Sequence, residues 1–432
     1  MEKIIRYVLS LLAVMVLGLP LQAQIVIDNT SNDHEEEVVE EKEEGDVADS
    51  TMVDSLAADT LKLPWPQAMQ KGIDKLLESK MFETSQVGIM VWDLQADSCL
   101  YRFRERQLMR PASTMKLVTA ITALDKLGGS YQFKTTLKYT GTIADSVLTG
   151  DVYCVGGMDP RFNTDDMTAF VTSLKDLGVD SIRGNIYADR SMKDADLLGE
   201  GWCWDDDNPV LSPLVFGRKD NFMDRFLSKL KDAGIVYQGD GVMVKRCPAG
   251  AFTVCTRFHT MDQILHKMMK ESDNLYAECM YYQIAASTGS RPASAKSARS
   301  VERQLVKKLG LDPLRYKFAD GSGLSLYNYL SAELEVKLLR YAYRDDNILT
   351  HLKQSLPVAG VDGTLKKRMK TGAAHGNVKA KTGTLTGIIS LAGYCKAANG
   401  HDLCFSIINN GIMHGNNARN FADKVCELMC KP

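Results

Sequence analysis

The sequence predicts an α+β fold: one domain that its own two ends close, interrupted by a β-rich module. Three observations carry this. Apolar runs of strand length lie near both ends, in QVGIMVWDL and CLYRFRE and again in GIISLAGYCKA and HDLCFSIINNG. Between them, apolar residues recur at helical spacing. From about Tyr131 to Cys255 the texture changes to short β-type runs such as FKTTLKYTG, GDVYCVGG and GNIYADRS, broken by glycine turns. Strands at the two ends with helices between them suggest one α+β domain closed by its termini.

Taken in order, the chain opens with Lys3 and Arg6 ahead of an apolar run from Val8 to Leu21, followed by Ala23 at a plausible cleavage point. This predicts a signal peptide over 1–23 and export to the periplasm, with membrane association only if the signal stays uncleaved. Residues 25–60 hold 13 acids against the single base Lys42, so 24–62 reads as a solvated acidic linker. With a total of −2, residues 61–432 carry +9. After Pro66, Met69, Ile73, Leu76 and Leu77 mark a helix. A second begins at Ser113, runs through Met115, Val118, Ile121, Leu124 and Leu127, and stops at Gly128-Gly129. Helical spacing returns in MDQILHKMMKE, LYAECMYYQIA and SAELEVKLLRYAY. Asn399-Gly400 predicts a hairpin turn, and Ala418, Phe421, Ala422, Val425, Leu428 and Met429 share one face of a last helix. The core domain is therefore expected over 63–134 and 256–432, with the insertion over 135–255.

The mildly basic folded part suits an anionic partner such as a cell-wall polymer. No basic cluster with interleaved aromatics is present, which argues against nucleic acid. The ten cysteines form no Cys-x-x-Cys pair and no Cys/His group suited to zinc, so no structural metal is expected. Cys247 with Cys255, or Cys395 with Cys404, are close enough in sequence to be disulfide candidates, and buried free thiols are the alternative. The seven histidines are scattered and give no anchor for a His-based triad.

Three short motifs carry chemistry. Ser113 and Lys116 lie three apart in S-T-M-K and so neighbour each other on one helical face. A serine hydroxyl needs a base to become a nucleophile, and a lysine serves if burial lowers its pKa; the helix's first turn favours the negative charge that develops. Ser272-Asp273-Asn274 precedes a helix and reads equally well as an ordinary N-cap. Lys-Thr-Gly occurs twice, at Lys370-Thr371-Gly372 and at Lys381-Thr382-Gly383. The second runs into the terminal hairpin and can lie on a sheet edge; the first reads as a helix end and loop.

The order Ser-x-x-Lys, Ser-Asp-Asn, Lys-Thr-Gly is that of the penicillin-recognising serine enzymes. RPASTMKLVTAITAL, ESDNLYAE, ADGSGLS and GNVKAKTGTLTG resemble the D-alanyl-D-alanine carboxypeptidase/endopeptidase family, peptidase family S13, as do GGMDP and GEGWCWDDD in the insertion. The resemblance covers roughly 65–430. It implies a penicillin-binding-protein or serine β-lactamase-like transpeptidase domain, an antiparallel sheet with flanking helices plus an all-helical part. It implies peptidoglycan stem peptides as substrate, β-lactams as inhibitors and no cofactor.

By that resemblance, Ser113 is the nucleophile, Lys116 its base, Ser272 a proton relay to the leaving amine and Asn274 a holder of Lys116 and substrate. Lys381 attracts the terminal carboxylate. Backbone N–H groups of Ser113 and Thr384 form the oxyanion hole, and Thr382, Gly383 and Thr384 line the substrate position. Asp159 of GGMDP is a further substrate-binding candidate. The chain departs from the family in a shorter stretch between the first two motifs, in Leu326 where Arg is common and in Thr386 where Gln is common. A β-lactamase and a non-catalytic wall-binding or antibiotic-sensing protein are the rival functions.

Overall fold

The computed structural model describes residues 63–204 and 208–431; the expected signal peptide and acidic linker lie outside them. After helix α1 (Gln67–Leu76), strands β1 (Gln86–Asp93) and β2 (Ser98–Phe103) form a hairpin. Helix α2 (Met115–Leu127) follows, entered through a 3₁₀ turn at Ala112–Thr114. The insertion then runs from β3 (Gln132–Tyr139) through β4 (Thr142–Ala144), β5 (Val147–Thr149), β6 (Val152–Val155), α3 (Thr164–Asp176), β7 (Ser181–Arg183) and β8 (Ile186–Asp189). It finishes with α4 (Phe222–Asp232), β9 (Val236–Tyr237), β10 (Val242–Val244) and β11 (Phe252–Thr260). Helices α5 (Met261–Lys270), α6 (Asn274–Ala286), α7 (Ala295–Lys308), α8 (Ala332–Tyr343) and α9 (Asp346–Ser355) come next. Strands β12 (Lys379–Leu385), β13 (Ile388–Lys396) and β14 (Asp402–Asn410) and helix α10 (Gly415–Cys430) close the chain.

The two ends do build one sheet. Its order is β12-β13-β14-β1-β2, and every neighbouring pair is antiparallel. Side chains alternate along a strand, and both faces here are covered. Val87, Ile89, Val91, Leu403, Phe405 and Ile407 face α1 and α10 through Met69, Ile73, Phe421, Val425 and Met429. Met90, Cys404 and Ile408 face the helical half, built on α2, α5, α6, α7 and α8. Double coverage explains why β13 and β14 read as continuous apolar runs rather than alternating ones. It also separates Cys395 from Cys404: they belong to opposite faces, and every cysteine of the described residues is a free thiol.

The insertion carries its own core and two sheets, ordered β10-β8-β6-β3-β11 and β4-β5-β7-β9. Strands β3 and β11 pair from Gln132↔Thr260 to Tyr139↔Phe252, so the junction lies a few residues outside the expected 135 and 255. The module is less purely β than its glycine-punctuated texture predicts. Helices α3 and α4 place Met167, Phe170, Val171 and Leu174, and Phe222, Met223, Phe226 and Leu230, in its core, and several strand pairs are parallel.

Helices α2 and α6 are apolar almost all round and lie inside the helical half, where a polar side chain on either must find partners within the protein. No helix of the described residues is long and apolar enough to cross a membrane.

Phe405 sits fully buried in the middle of the sheet. Phe405→Ala is expected to cost about 3–5 kcal/mol in denaturant unfolding through the lost transfer energy and the cavity left behind; a loss under about 1 kcal/mol would contradict this packing.

Candidate active site

The three motifs converge where α2, α6 and β12 meet. Ala112 holds φ at +49° just before Ser113, a conformation side chains rarely adopt and one found disproportionately at functional sites. It turns the chain so that Ser113 begins the helix half-buried but reachable. One turn on, Lys116 is fully buried, and its Nζ lies 3.0 Å from Ser113 Oγ, 2.7 Å from Asn274 Oδ1 and 2.9 Å from the Ser322 carbonyl.

Ser272 and Asn274 flank a turn whose middle residue does what the cap reading expects: Asp273 Oδ1 accepts the Tyr276 N–H at 3.2 Å and starts α6. Ser272 has φ +62°, which directs its hydroxyl away from the helix and onto Lys381, whose Nζ donates to Ser272 Oγ at 2.8 Å. The Ser-Asp-Asn triplet is therefore both cap and site. Arg218 of the insertion reaches the same turn, 3.3 Å from Asp273 Oδ2.

Strand β12 is the sheet edge facing this cluster. Gly383 is required there: a Cβ would sit 2.7 Å from the Pro111 carbonyl and 3.0 Å from Ser113 N. The strand thus passes directly beside the Ser113 amide. Lys381 is fully buried and also donates to the Thr382 carbonyl at 2.8 Å, Thr382 Oγ1 donates to Thr364 Oγ1 at 2.7 Å, and Thr384 is exposed. The other copy, Lys370-Thr371-Gly372, lies in an exposed turn, followed by Ala373 and Ala374 donating to Glu427 of α10 at 2.9 and 3.0 Å. It takes no part in the cluster.

A fourth segment completes the site, the loop Asp320–Ser325. Gly321 N–H and Ser322 N–H donate to Glu278 Oε1 at 3.0 and 2.8 Å, which fixes the Ser322 carbonyl against Lys116. Among the sequence-predicted residues, Ser113, Lys116, Ser272, Asn274, Lys381 and the 382–384 strand come together.

Asp159 does not join them. Its side chain has no exposed surface, Oδ2 lies 2.7 Å from His259 Nδ1, and Oδ1 accepts the Arg161 N–H at 3.0 Å. In this structure it is a buried turn and pairing residue, held apart from the hydrogen-bonded cluster. Glu278, Asp320, Ser322 and Arg218 had no role assigned from sequence. The first three lie in the LYAE and DGSGLS stretches, which signalled their importance without saying what they hold; Arg218 had no signal. A separate crevice of about 460 Å³, lined by Lys353, Lys379, Tyr394, Lys396 and Cys430 among others, takes no residue of Ser113–Lys116, Ser272–Asn274 or Lys381–Gly383.

The sequence matches the model of the D-Ala-D-Ala carboxypeptidase 3 (S13) family over residues 69–215 and 214–431. The chain belongs to that family. It is 25% identical to the D-alanyl-D-alanine carboxypeptidase DacB of Haemophilus influenzae, over 78% of this chain and 88% of that protein. To the D-alanyl-D-alanine carboxypeptidase of Actinomadura sp. (strain R39) it is 27% identical, over 79% of this chain and 81% of the relative. The crystal structure of penicillin binding protein 4 (dacB) from Haemophilus influenzae shares the fold, with a TM-score of 0.75, 22% identity and coverage of 82% of this chain and 97% of that one.

As an S13 peptidase the protein is a serine D-Ala-D-Ala carboxypeptidase that works on peptidoglycan through an acyl-enzyme. Burial pulls the Lys116 amine down to about 8, against the opposing fields of Asp320, Asp273 and Glu278. The Lys381 amine is also held well below the ordinary lysine range, by burial first and by Lys116 second. Burial pushes the Glu278 carboxyl up to about 8, with the Asp320 charge adding to it. An amine must be neutral to take a proton, so the base role that the family resemblance implies for Lys116 predicts penicillin acylation rising with pH through an acid limb near its value of about 8. A rate flat from about pH 6 to about pH 9 would contradict the role of Lys116.

Proposed function

We propose that Ser113 is the nucleophile of this carboxypeptidase and Lys116 its base, and that the enzyme removes terminal D-alanine from stem peptides outside the cytoplasmic membrane. The observation that carries the reading is the three-way contact of Lys116. A neutral amine has two N–H donors and one lone pair. Asn274 Oδ1 and the Ser322 carbonyl take the two donors, which leaves the lone pair aimed at Ser113 Oγ.

The proton of Ser113 Oγ passes to Lys116 as Oγ attacks the carbonyl between the two D-alanines. The tetrahedral intermediate collapses to a Ser113 ester, and the departing amine takes a proton through Ser272, which Lys381 holds. Water then cleaves the ester. The amides of Ser113 and Thr384 are the donors assigned to the oxyanion, supported by the close passage of β12 past Ser113. Thr382, Gly383 and Thr384 line the strand against which the substrate backbone lies. Lys381 supplies the positive charge for the terminal carboxylate; an anion beside it offsets the burial that depresses its pKa.

Export is inferred from Lys3 and Arg6, the apolar run from Val8 to Leu21 and Ala23. The wall lies outside the membrane, and a cleaved signal leaves no membrane anchor at that end. β-Lactams, which mimic the D-Ala-D-Ala bond, are expected to acylate the same hydroxyl.

Intact-mass analysis of the exported protein after penicillin treatment tests both parts. The expected result is a chain beginning at Gln24 with one adduct, absent from Ser113→Ala. Ser113→Ala should also lose at least about a thousandfold in D-alanine release. An adduct that persists in Ser113→Ala would refute the nucleophile, and a retained N-terminus would refute cleavage.

A further inference from the structure

The GEGW stretch of the insertion, Gly199 to Trp202, is fitted residue by residue to the loop that holds Lys116. Glu200 ion-pairs with Arg299 at 2.6 Å and approaches Lys317 at 3.6 Å, and Arg299 also donates to the Ala319 carbonyl at 3.4 Å. A Cβ at Gly201, where φ is +82°, would lie 2.6 Å from the Tyr327 ring and 2.8 Å from Ser325 Oγ. A Cβ at Gly199 would lie 2.6 Å from the Trp202 indole nitrogen. Only glycines at these two positions let the turn press the indole onto the loop.

There Trp202 Nε1–H donates to Asp320 Oδ2 at 2.8 Å. Asp320 is buried and organises its own loop: Oδ1 accepts from Gly323 N–H (2.8 Å) and Asn328 Nδ2 (2.7 Å), and Oδ2 from Ser325 N–H (2.7 Å) and Ser322 Oγ (3.4 Å). Among the described residues, the indole is the one donor to Asp320 from the insertion. Removing it leaves a buried carboxylate oxygen short of a partner, at the residue whose loop sets the Ser322 carbonyl.

We propose that Trp202 is a positioning residue for Lys116, supplied by the insertion: its indole N–H fixes the Asp320 carboxylate and, through that loop, the Ser322 carbonyl that receives Lys116 Nζ. The insertion is on this account part of the acylation machinery and more than a rim to the cleft. The inference rests on the reading of Lys116 as the base of Ser113.

The sign of the effect follows from the charges facing Lys116. The charged groups are Asp320 in the loop, Asp273 in the turn before α6, with Arg218 upon it, and Lys381 on β12; Glu278 on α6, with Glu302 of α7 behind it, adds two carboxyls that burial pushes toward the neutral form. Asp320 favours the ammonium form of Lys116. An Asp320 carboxylate that loses its indole donor presents more of its charge to the amine, so the acid limb of acylation moves to higher pH.

The test is the second-order rate of acylation by penicillin against pH for wild type, W202F and W202H, with thermal melts to check folding. In W202F the limb is expected about half a pH unit or more higher, with a several-fold lower rate at neutral pH. W202H keeps a ring N–H and is expected to lie between W202F and wild type; it serves alone if W202F does not fold. A W202F limb at the wild-type position overturns the proposal, as does a rate loss equal at all pH values or a W202H limb no closer to wild type than that of W202F. Penicillin labelling of Ser113→Ala in parallel reports separately on the underlying reading: an adduct there removes Ser113, whatever the limbs do.

Discussion

The structure turns on the burial of one amine. Lys116 sits inside a helix that is apolar on nearly every side, yet its Nζ meets three oxygens, one each from the 3₁₀ turn, the start of α6 and the Asp320–Ser325 loop. Burial disfavours the charged form; Asn274 Oδ1 and the Ser322 carbonyl accept the two hydrogens of a neutral amine, and its lone pair can accept the Ser113 O–H. On the proposed reading this amine serves as the base, and no histidine is needed.

That constraint explains features that otherwise look unrelated. Ala112 and Ser272 both hold positive φ beside the site, and each aims a serine: Ser113 toward Lys116 and Ser272 toward Lys381. Several carboxylates surround the amine at different depths. Asp273 serves as a cap and pairs with Arg218, Asp320 ties its loop, and Glu278 accepts two backbone N–H groups. Their fields oppose the effect of burial, and the Lys116 amine stands at about 8. The fold supplies the frame: a sheet closed by strands from both ends of the chain presents β12 as its edge, and Gly383 lets that edge pass beside Ser113.

Much of this was legible in the sequence, for identifiable reasons. The terminal strands declared themselves through continuous apolar runs and Asn399-Gly400, and α2 through spacing that ended at Gly128. The motif residues were readable because their chemistry depends on residue type and order. Helices α3 and α4 were overshadowed by glycine turns around them; α4 has no side-chain cap to mark its start, although Asn163 and Asp166 form a capping box on α3. Helices α7 and α9, polar on their outer faces, were also missed. The pairing of Asp159 was not legible, because its partner His259 lies a hundred residues away and has no local signal. Contacts such as Trp202 to Asp320 or Arg218 to Asp273 join elements far apart in sequence and are visible only once the chain is folded.

The most direct measurement of the central idea is the titration of Lys116 itself. In protein carrying ¹³C-labelled lysine, the Cε signal that vanishes in Lys116→Arg should titrate near about 8 in the unliganded enzyme, far from the ~10.4 of solvent-exposed lysines. A midpoint for that signal at or above ~10 would mean that burial does not lower the amine's proton affinity, and the mechanism built on it would fall.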